Sequence, residues 1–432
     1  MSGVMKKRAE AFRYVRLEIS STSLTGHFEL DGVPFEETVS FENVDDLTKP
    51  AVVGVANLWF LLAGLSYYKA GAAKIIDLGS TPVGPMGREL LTAALHDGLG
   101  EFSFKNELPL NDVVITGGVA AENFAPFTNP DLVLIPFGGG IDSVVSVTQL
   151  SSQLDKSLFV VSPASGKFAP LEETAKVTGL PITRATRIID SKILKGDESY
   201  FNGHVPVTAM ITLLSVIAAV ASGRGGVVMS NEHSSSAPNL KWNDQDINHQ
   251  WSKSWVAEQL ISKAVKELLG DEFVVASFLR DRSEVWVAQQ FADQHKFLST
   301  FRSCNRAFSQ DASQRAKNWC GECDKCLFIN LILAPFLPRA TLRQVFGSEP
   351  LSDSNRAEQL RALVGIGLDH KPFECVGDPD ESAVALVKVS QLRDWSDVAH
   401  LAELALLVNP DRSFDELLES QGPSNVPAHW LF

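Results

Sequence analysis

The chain has 432 residues, of which 45% are hydrophobic and 21% are charged, an ordinary composition for a soluble globular protein. This length exceeds one usual hydrophobic core and predicts two or three domains. The formal net charge of −14 provides no long-range attraction for nucleic acid, so we expect no nucleic-acid partner. The N-terminus shows no apolar signal region, and the longest apolar run, residues 210–221, is too short to span a bilayer. We therefore expect a cytoplasmic protein with no membrane partner.

The first part of the chain mixes strand and helix patterns. Apolar and polar residues alternate on both sides of Asp31-Gly32, which predicts a β-hairpin. Residues 50–70 and 88–96 have helical patterns, with an apolar strand pattern at residues 75–79 between them. We predict an N-terminal α+β domain over residues 1–127, with substrate recognition or a purely structural cap as its role.

From residue 131 onward, strand patterns alternate with helix patterns. This order predicts an α/β fold built on a doubly wound parallel sheet, in a domain over residues 128–338. A mainly helical region is expected over residues 339–432. Ligands of such sheets bind at the carboxyl ends of the strands, and this rule predicts a crevice lined by Ser162, Asp190, Ser277 and residues 230–233. The predicted strands cover residues 131–135, 158–162, 182–189, 225–229 and 273–277.

A glycine turn follows the first of these strands. Gly138, Gly139 and Gly140 precede Asp142 and Ser143, at the start of a predicted helix. Consecutive glycines let main-chain N–H groups converge, and the helix N-terminus adds positive charge, so the turn suits a phosphate group. We expect Asp142 and Ser143 on an exposed turn, where Ser143 adds a hydroxyl donor and Asp142 either orients the loop or helps to hold a divalent cation. An ordinary glycine-rich turn is the alternative.

Three polar segments near the predicted crevice each have a structural alternative. His204 precedes the apolar run at residues 210–221, and it is either a crevice residue or a helix cap. Residues 230–239 carry His233 and predict a loop over the site. His249, Gln250 and Lys253 lie at helical spacing, which is also typical of a solvated helix face.

Four of the five cysteines form the strongest metal signal in the sequence. Cys320, Cys323 and Cys326 lie within seven residues, and Cys304 can return as a fourth ligand. Four thiolates favour tetrahedral Zn²⁺, and we expect structural zinc here. An iron–sulfur cluster and metal-free thiols are the alternatives.

The glycine turn resembles the pyrophosphate loop S-G-G-x-D-S of the ATP pyrophosphatase (PP-loop, HUP-like) superfamily, with Gly138 in place of the serine. That resemblance implies ATP binding by Gly138, Gly139, Gly140, Asp142, Ser143 and Ser162. Together with the four cysteines, the loop is also similar to the branch that contains 7-cyano-7-deazaguanine synthase. The resemblance to this branch covers residues 130–335.

A resemblance over the whole chain is more specific. The segments 98–102, 138–143, 202–208, 230–233, 320–326 and 371–377 resemble those of the UDP-N-acetyl-α-D-muramoyl-L-alanyl-L-glutamate epimerase family. This resemblance implies an isomerase of peptidoglycan synthesis that inverts the terminal L-glutamate of UDP-MurNAc-L-Ala-L-Glu to D-glutamate. It also implies a requirement for ATP and Mg²⁺, with release of AMP and diphosphate. The implied partner is this UDP-linked muramyl dipeptide.

The acid and base that would invert the α-carbon are not identified by any motif. Candidates are Cys375, His204, His233, His370 and Lys371, and Cys375 is also compatible with a buried small hydrophobic residue. Arg184, Arg187, Lys192 and Lys195 are candidates to hold the anionic substrate.

Three rival functions use similar sequence features. An ATP-dependent ligase or amidotransferase, including a 7-cyano-7-deazaguanine synthase-like enzyme, would capture ammonia on the same adenylate. A tRNA-thiolating enzyme would carry sulfur or an iron–sulfur cluster on the cysteines. A non-catalytic nucleotide-binding module is disfavoured because both Asp142 and Ser143 are present.

Overall fold

A computed structural model describes residues 6–124, 129–194, 198–309, 313, 315–367 and 371–431. Within these residues, ten strands form one mixed sheet in the order β12-β9-β6-β7-β8-β3-β2-β1-β4-β5, and β10 and β11 form a separate ribbon. The strands are β1 Ala11–Ile19, β2 Ser23–Leu30, β3 Val33–Glu42, β4 Ile75–Asp77, β5 Val114–Thr116, β6 Leu132–Pro136, β7 Asp155–Pro163, β8 Ile182–Ile189, β9 Gly226–Met229, β10 Leu240–Trp242, β11 Gln245–Ile247 and β12 Val274–Ser277.

Helices cover both faces of the sheet and build the C-terminal region. They are α1 Pro50–Tyr68, α2 Pro85–His96, α3 Gly100–Lys105, α4 Ile141–Gln149, α5 Ala169–Thr178, α6 Ser191–Leu194, α7 Val207–Ala221, α8 Trp255–Leu269, α9 Glu284–Ala292, α10 Asp324–Leu333, α11 Arg339–Phe346, α12 Ala357–Leu363, α13 Pro379–Ser390, α14 Ala399–Ala405 and α15 Phe414–Leu417.

The five strands predicted after residue 131 are confirmed as a parallel, doubly wound unit. Their order in the sheet is β8-β7-β6-β9-β12. The chain adds β7 and β8 on one side of β6 and then returns to add β9 and β12 on the other side, so the strand order reverses between β6 and β9. Ligands of doubly wound sheets bind at such a reversal. The turn after β6 and the segment after β9 are therefore neighbours at the carboxyl edge of the sheet.

The hydrophobic pattern explains why both faces of these strands are covered. Val133 and Ile135 of β6 belong to the core that contains α4, α9 and α10, whereas Leu134 belongs to the core that contains α1, α7 and α8. Successive side chains of a strand point to opposite faces, so an uninterrupted apolar run must be buried on both sides.

The N-terminal strands form a hairpin as predicted, but they belong to the same sheet as the central strands. The expected hairpin is confirmed, because Asp31 and Gly32 have positive φ angles of 45° and 84° between β2 and β3. However, β3 also pairs antiparallel with β8, so the N-terminal strands extend the parallel sheet. The sheet is therefore mixed, and one sheet runs through the predicted N-terminal and central domains. The domain boundaries themselves stay a prediction.

Helix α1 is long and apolar enough to cross a membrane by length and composition. However, 78% of its most apolar 18-residue window is buried inside the protein. Its side chains, such as Trp59 and Phe60, pack in the core beside α7 and the N-terminal strands. These contacts are those of a core helix.

Candidate functional site

The glycine turn after β6 is held against the segment that leads to Cys304. Gly139 has a φ of 74°, a conformation that side-chain-bearing residues rarely adopt. A Cβ on Gly140 would lie 2.6 Å from Oγ of Ser303, so a side chain at this position would require the Ser303 hydroxyl to move. The main-chain N–H of Arg302 donates to the Gly139 carbonyl at 3.0 Å. Gly138 is exposed and leaves open space beside it.

Asp142 and Ser143 do not lie on an exposed turn, and that expectation is wrong. Ser143 is buried in the first turn of α4, where its hydroxyl donates to the Gly140 carbonyl at 3.1 Å. Asp142 is half-buried, and its Oδ1 is buried without a hydrogen-bond partner among the described residues. Both side chains are inside because α4 packs directly against β6 and β9. An unpaired buried carboxylate oxygen is costly and suits a cation ligand.

Two more carboxylates converge on Asp142. Glu232 follows β9, and Glu284 begins α9 behind the cap residue Ser283. Oxygens of Asp142, Glu232 and Glu284 all lie within 4.8 Å of one another. Glu232 and Glu284 are each 2% exposed, so little water separates the three groups.

The electrostatics of this carboxylate cluster favour a positive ligand. Burial and the charge of Glu232 raise the pKa of Asp142 to about 6. Burial also raises the pKa of Glu284 well above its usual range. Lys325 lies with Nζ 3.9 Å from Oε1 of Glu284, and Lys253 opposes the charge from another side. These residues can hold a divalent cation, because three carboxylates bring more negative charge than the lysines offset.

A second polar cluster lies in the same interior. Nδ1 of His249 is 2.5 Å from Oε2 of Glu101, and Lys105 binds the other carboxylate oxygen at 2.5 Å. The ring of His204 packs against that of His249 with centroids 4.2 Å apart. Burial and the neighbouring His249 lower the pKa of His204 to about 4. Burial would also lower the pKa of His249, but Cys375 and Glu101 outweigh it and raise that pKa to about 9.

Cys375 connects the two clusters. His249 and Lys253 both act on its thiol, and its own charge raises the pKa values of Lys253 and Asp142. Burial alone would raise the pKa of the Cys375 thiol, but Lys253 and His249 lower it to about 6. Asp142, Cys375 and His204 therefore belong to one interior, as expected of a site.

Other predicted site residues lie elsewhere or face other partners. Ser162 is buried at the end of β7, next to β6 in the sheet. The ring of His233 packs against Gly422 in the C-terminal segment. A Cβ added to this glycine would lie only 3.1 Å from Cε1 of the ring. Asp190 binds Lys192 and the main-chain N–H of Glu36. Lys195 and His370 lie outside the described residues.

The three predicted basic residues that the structure describes, Arg184, Arg187 and Lys192, are each paired with a carboxylate. Arg184 makes two hydrogen bonds to Glu172, at 2.5 and 2.6 Å. Arg187 binds Glu37 across the β3–β8 pairing at 2.6 Å. Because these carboxylates neutralise the guanidinium groups, neither arginine offers an unpaired charge to an anionic substrate.

The four cysteines of the predicted metal site do converge. Their sulfur atoms lie within 4.8 Å of one another, and all four thiols are free. Sγ of Cys326 is 3.6 Å from that of Cys320 and 3.4 Å from that of Cys323. In a tetrahedral site with Zn–S bonds of about 2.3 Å, sulfurs are separated by about 3.8 Å. The cluster therefore fits one tetrahedral metal ion.

Main-chain groups support these sulfurs. The N–H groups of Glu322 and Cys323 both donate to Sγ of Cys320 at 3.4 Å, and the N–H of Cys320 donates to Sγ of Cys304 at the same distance. Such N–H groups stabilise negative charge on sulfur, which a metal-bound thiolate carries.

The sequence did not single out several residues of this interior. Glu101 and Glu232 lie within segments that carried the family resemblance, but no chemistry was assigned to them. Lys253 was compatible with a solvated helix face, yet its ammonium group lies beside Asp142 and Cys375. Glu284 and Lys325 begin two helices far apart in the chain, and no local pattern distinguishes them from ordinary first-turn residues.

Comparisons with known sequences cover most of the chain. Two family models match it, the MurL N-terminal domain over residues 4–278 and the MurL C-terminal domain over residues 300–416. Three similar proteins share the name UDP-N-acetyl-alpha-D-muramoyl-L-alanyl-L-glutamate epimerase.

The protein from a Micromonospora strain is 37% identical over 89% of this chain and 87% of its own length. The one from Salinispora tropica is 38% identical, over 87% and 82% of the two lengths. The one from Xanthomonas oryzae pv. oryzae is 32% identical, over 99% and 97%. No solved structure matches the chain.

Proposed function

This chain belongs to the MurL epimerase family, and from that premise we propose that it inverts the terminal L-glutamate of UDP-MurNAc-L-Ala-L-Glu to D-glutamate in peptidoglycan synthesis. We further propose that the reaction consumes ATP, requires Mg²⁺ and releases AMP and diphosphate. The observation that carries this second part is the convergence of Asp142, Glu232 and Glu284 next to the glycine turn.

The carboxylate cluster fits Mg²⁺ better than a purely structural role. Oxygen ligands are those that Mg²⁺ prefers, and Oδ1 of Asp142 and Oε2 of Glu284 are buried without hydrogen-bond partners among the described residues. Asp142, Glu232 and Glu284 would hold the ion. When bound, it would neutralise phosphate charge and orient the nucleotide for substitution at the α-phosphorus.

Adenylation gives the inversion a physical reason. The α-hydrogen beside an ionised carboxylate is very weakly acidic, because its loss would place a second negative charge on a small fragment. If a carboxylate oxygen of the glutamate displaces diphosphate from ATP, the resulting acyl-adenylate has lost that charge. Its carbonyl then accepts the electron pair of the broken C–H bond. Protonation from the opposite face and hydrolysis yield D-glutamate and AMP.

The lysines of the interior would assist the anionic groups. Lys325 lies with Nζ 3.9 Å from Oε1 of Glu284, and the charges of Lys253 and Lys325 both lower the pKa of Asp142. Ammonium groups bind phosphate oxygens as point charges. We therefore assign Lys253 and Lys325 to hold the phosphates or the developing negative charge on the activated carbonyl.

We also propose that Cys304, Cys320, Cys323 and Cys326 hold one structural Zn²⁺. The sulfur separations match a tetrahedral site, and the Arg302–Gly139 hydrogen bond connects this cluster to the glycine turn. Zinc would thus fix the segment that supports the nucleotide loop, at a distance from the reacting carbon.

The decisive experiment uses the dipeptide substrate in D₂O. UDP-MurNAc-L-Ala-L-Glu, incubated with the enzyme, ATP and Mg²⁺, should yield the D-glutamyl product with deuterium at its α-carbon, together with AMP. Free L-glutamate should react poorly, because it lacks the remote groups whose binding energy positions the reacting centre.

Chiral analysis of the hydrolysed product separates the rival functions. AMP release with glutamate entirely in the L form would refute the epimerase and favour a ligase or amidotransferase, which would then show a nitrogen-containing product. ADP in place of AMP would refute the adenylation step. An iron–sulfur absorbance would favour the thiolation alternative over a zinc-containing epimerase.

A further inference from the structure

We propose that Cys375 is the catalytic residue that exchanges a proton with the α-carbon, and that His249 and Glu101 are its positioning residues. This inference rests on the proposed function and names the group that performs its central step. It follows from three segments of the chain that meet only in the folded protein: α3, the turn after β11 and residues 371–377.

The three side chains form a relay of interacting groups. Nδ1 of His249 lies 2.5 Å from Oε2 of Glu101, and His249 in turn lowers the pKa of the Cys375 thiol. A carboxylate that binds one imidazole nitrogen fixes the ring and its protonation state for a partner on the other side. Glu101 is 4% exposed and is itself anchored by Lys105, so the relay has a rigid end.

Two amide side chains keep Cys375 in register with His249. Oδ1 of Asn239 accepts from the main-chain N–H of His249 at 2.8 Å, and its Nδ2 donates to the Pro372 carbonyl at 2.8 Å. Nε2 of Gln250 donates to the Val376 carbonyl at 3.1 Å. These buried amides join the turn that carries His249 to residues on both sides of Cys375.

The surrounding charges favour a thiolate. Burial would raise the pKa of the Cys375 thiol, but Lys253 and His249 together lower it to about 6, with Lys325 adding to the effect. A small hydrophobic filler would show the opposite direction. The titratable groups that act on Cys375 or respond to it are Lys253, Lys325, Lys371, His249, Asp142 and Glu374.

The proposed step conserves protons and electrons. The thiolate of Cys375 takes the α-proton, so the C–H bond breaks, an S–H bond forms, and the C–H electron pair moves toward the carbonyl of the acyl-adenylate. Water then donates a proton to the opposite face of the planar carbon. The hydroxide left behind takes the proton from the thiol and regenerates the thiolate. One proton enters and one leaves, with solvent as the source of the new hydrogen.

The test compares proton exchange with adenylation in the same reaction. For Cys375→Ala and Cys375→Ser, the ratio of α-deuterium incorporation to AMP release should fall by about 10²- to 10⁴-fold, the usual contribution of a positioned acid or base. Val389→Ala is the matched control, because Val389 is a buried residue of α13, outside the segment that carries Cys375, and has no exchangeable group. The control should keep the ratio of the unaltered enzyme.

The possible outcomes distinguish this inference from the proposed function. If the unaltered enzyme produces AMP and D-glutamate and both Cys375 variants keep their ratio, Cys375 is not the proton-exchanging residue. If the unaltered enzyme produces no D-glutamate, the proposed function is wrong and the inference is overturned with it.

The positioning roles need a measurement other than activity. The rate of Cys375 alkylation by iodoacetamide, followed by mass spectrometry of its peptide, should have a midpoint near pH 6 in the unaltered protein. His249→Gln and Glu101→Gln should move that midpoint upward, toward the ordinary thiol value of about 8.5. A merely structural role would change the melting temperature without this shift. A midpoint that neither variant moves would overturn the assignment.

Discussion

The side chain of Asn239 binds His249 and Pro372 at the same time, through its oxygen and its nitrogen respectively, at 2.8 Å each. Asn239 lies just before β10, whereas Pro372 lies more than a hundred residues later in the C-terminal part of the chain. The C-terminal part is therefore one wall of the site. This relationship holds the segment that carries Cys375 against the turn that carries His249.

Removing one carboxylate from the cluster of Asp142, Glu232 and Glu284 should suppress adenylation while the protein stays folded. Asp142→Asn should lower AMP release by about 100-fold or more, because an amide is a weaker cation ligand than a carboxylate. The melting temperature should stay the same or rise, since the substitution removes a charge that Glu232 repels. Enzyme-coupled detection of AMP and a thermal melt measure the two effects.

Asp131→Asn is the matched control for Asp142→Asn. Asp131 is an exposed carboxylate next to the other end of β6, so its substitution should leave AMP release as it is. Equal activity of the Asp142 variant and the control would remove Asp142 from the proposed Mg²⁺ site.

The cysteine cluster predicts one zinc ion per chain. Elemental analysis should find it, and chelation should lower the melting temperature, because metal binding to preformed thiolates contributes to folding free energy. Cys320→Ser should lose the zinc, whereas Cys375→Ser should retain it, since Cys375 lies outside the cluster. Equal zinc content in these two variants, or a melting temperature that chelation does not change, would contradict the structural role.

Breaking the buried ion pair of Glu37 and Arg187 should strongly destabilise the protein. Glu37 is 0% exposed and binds Arg187 where β3 joins β8, so Glu37→Gln would leave a buried guanidinium without its counter-charge. We expect a loss of about 3–5 kcal/mol in the free energy of unfolding. Urea denaturation measures this loss.

An exposed pair on the same sheet is the control for Glu37→Gln. Arg16 and Glu18 are each 56% exposed, and Glu18→Gln should leave the urea denaturation midpoint nearly unchanged, because solvent screens such a pair. Replacing Glu37 and Arg187 together by Met should recover much of the loss, because no buried charge then lacks a partner. If Glu37→Gln costs no more than Glu18→Gln, the buried pair does not stabilise the junction between the two halves of the sheet.

The free energy of unfolding should depend on pH because His204 is buried. Burial and the neighbouring His249 lower its pKa to about 4, compared with about 6.5 in the unfolded chain. Between these values the unfolded state binds more protons, so the free energy of unfolding should fall as pH falls from about 6.5 to about 4. One such group contributes at most about 1.4 kcal/mol per pH unit.

His204→Asn tests that assignment. Urea denaturation at pH 5 and pH 6.5 should show a smaller stability difference in the variant than in the unaltered protein. If the pH dependence is identical in both, His204 is not held neutral in the folded state.

Local patterns were sufficient to predict the secondary structure that surrounds the site. The apolar run before Gly138 identified β6, and Asp31-Gly32 identified the hairpin, because uninterrupted burial and a two-residue turn each leave a signal within a few residues. The spacing of Cys320, Cys323 and Cys326 likewise predicted that these cysteines act together, and their sulfurs do converge. These features depend on neighbours in sequence.

Only the tertiary structure decided which distant side chains meet. The pairing of β3 with β8 joined the N-terminal strands to the parallel sheet and brought Glu37, which is opposite Ile189, within reach of Arg187, although neither strand carries a signal for the other. The approach of Glu101 to His249, and of His249 to Cys375, depends on three segments separated by more than a hundred residues. Charge and burial at such a meeting point are properties of the packed interior, because the local sequence does not determine which groups will lie opposite one another.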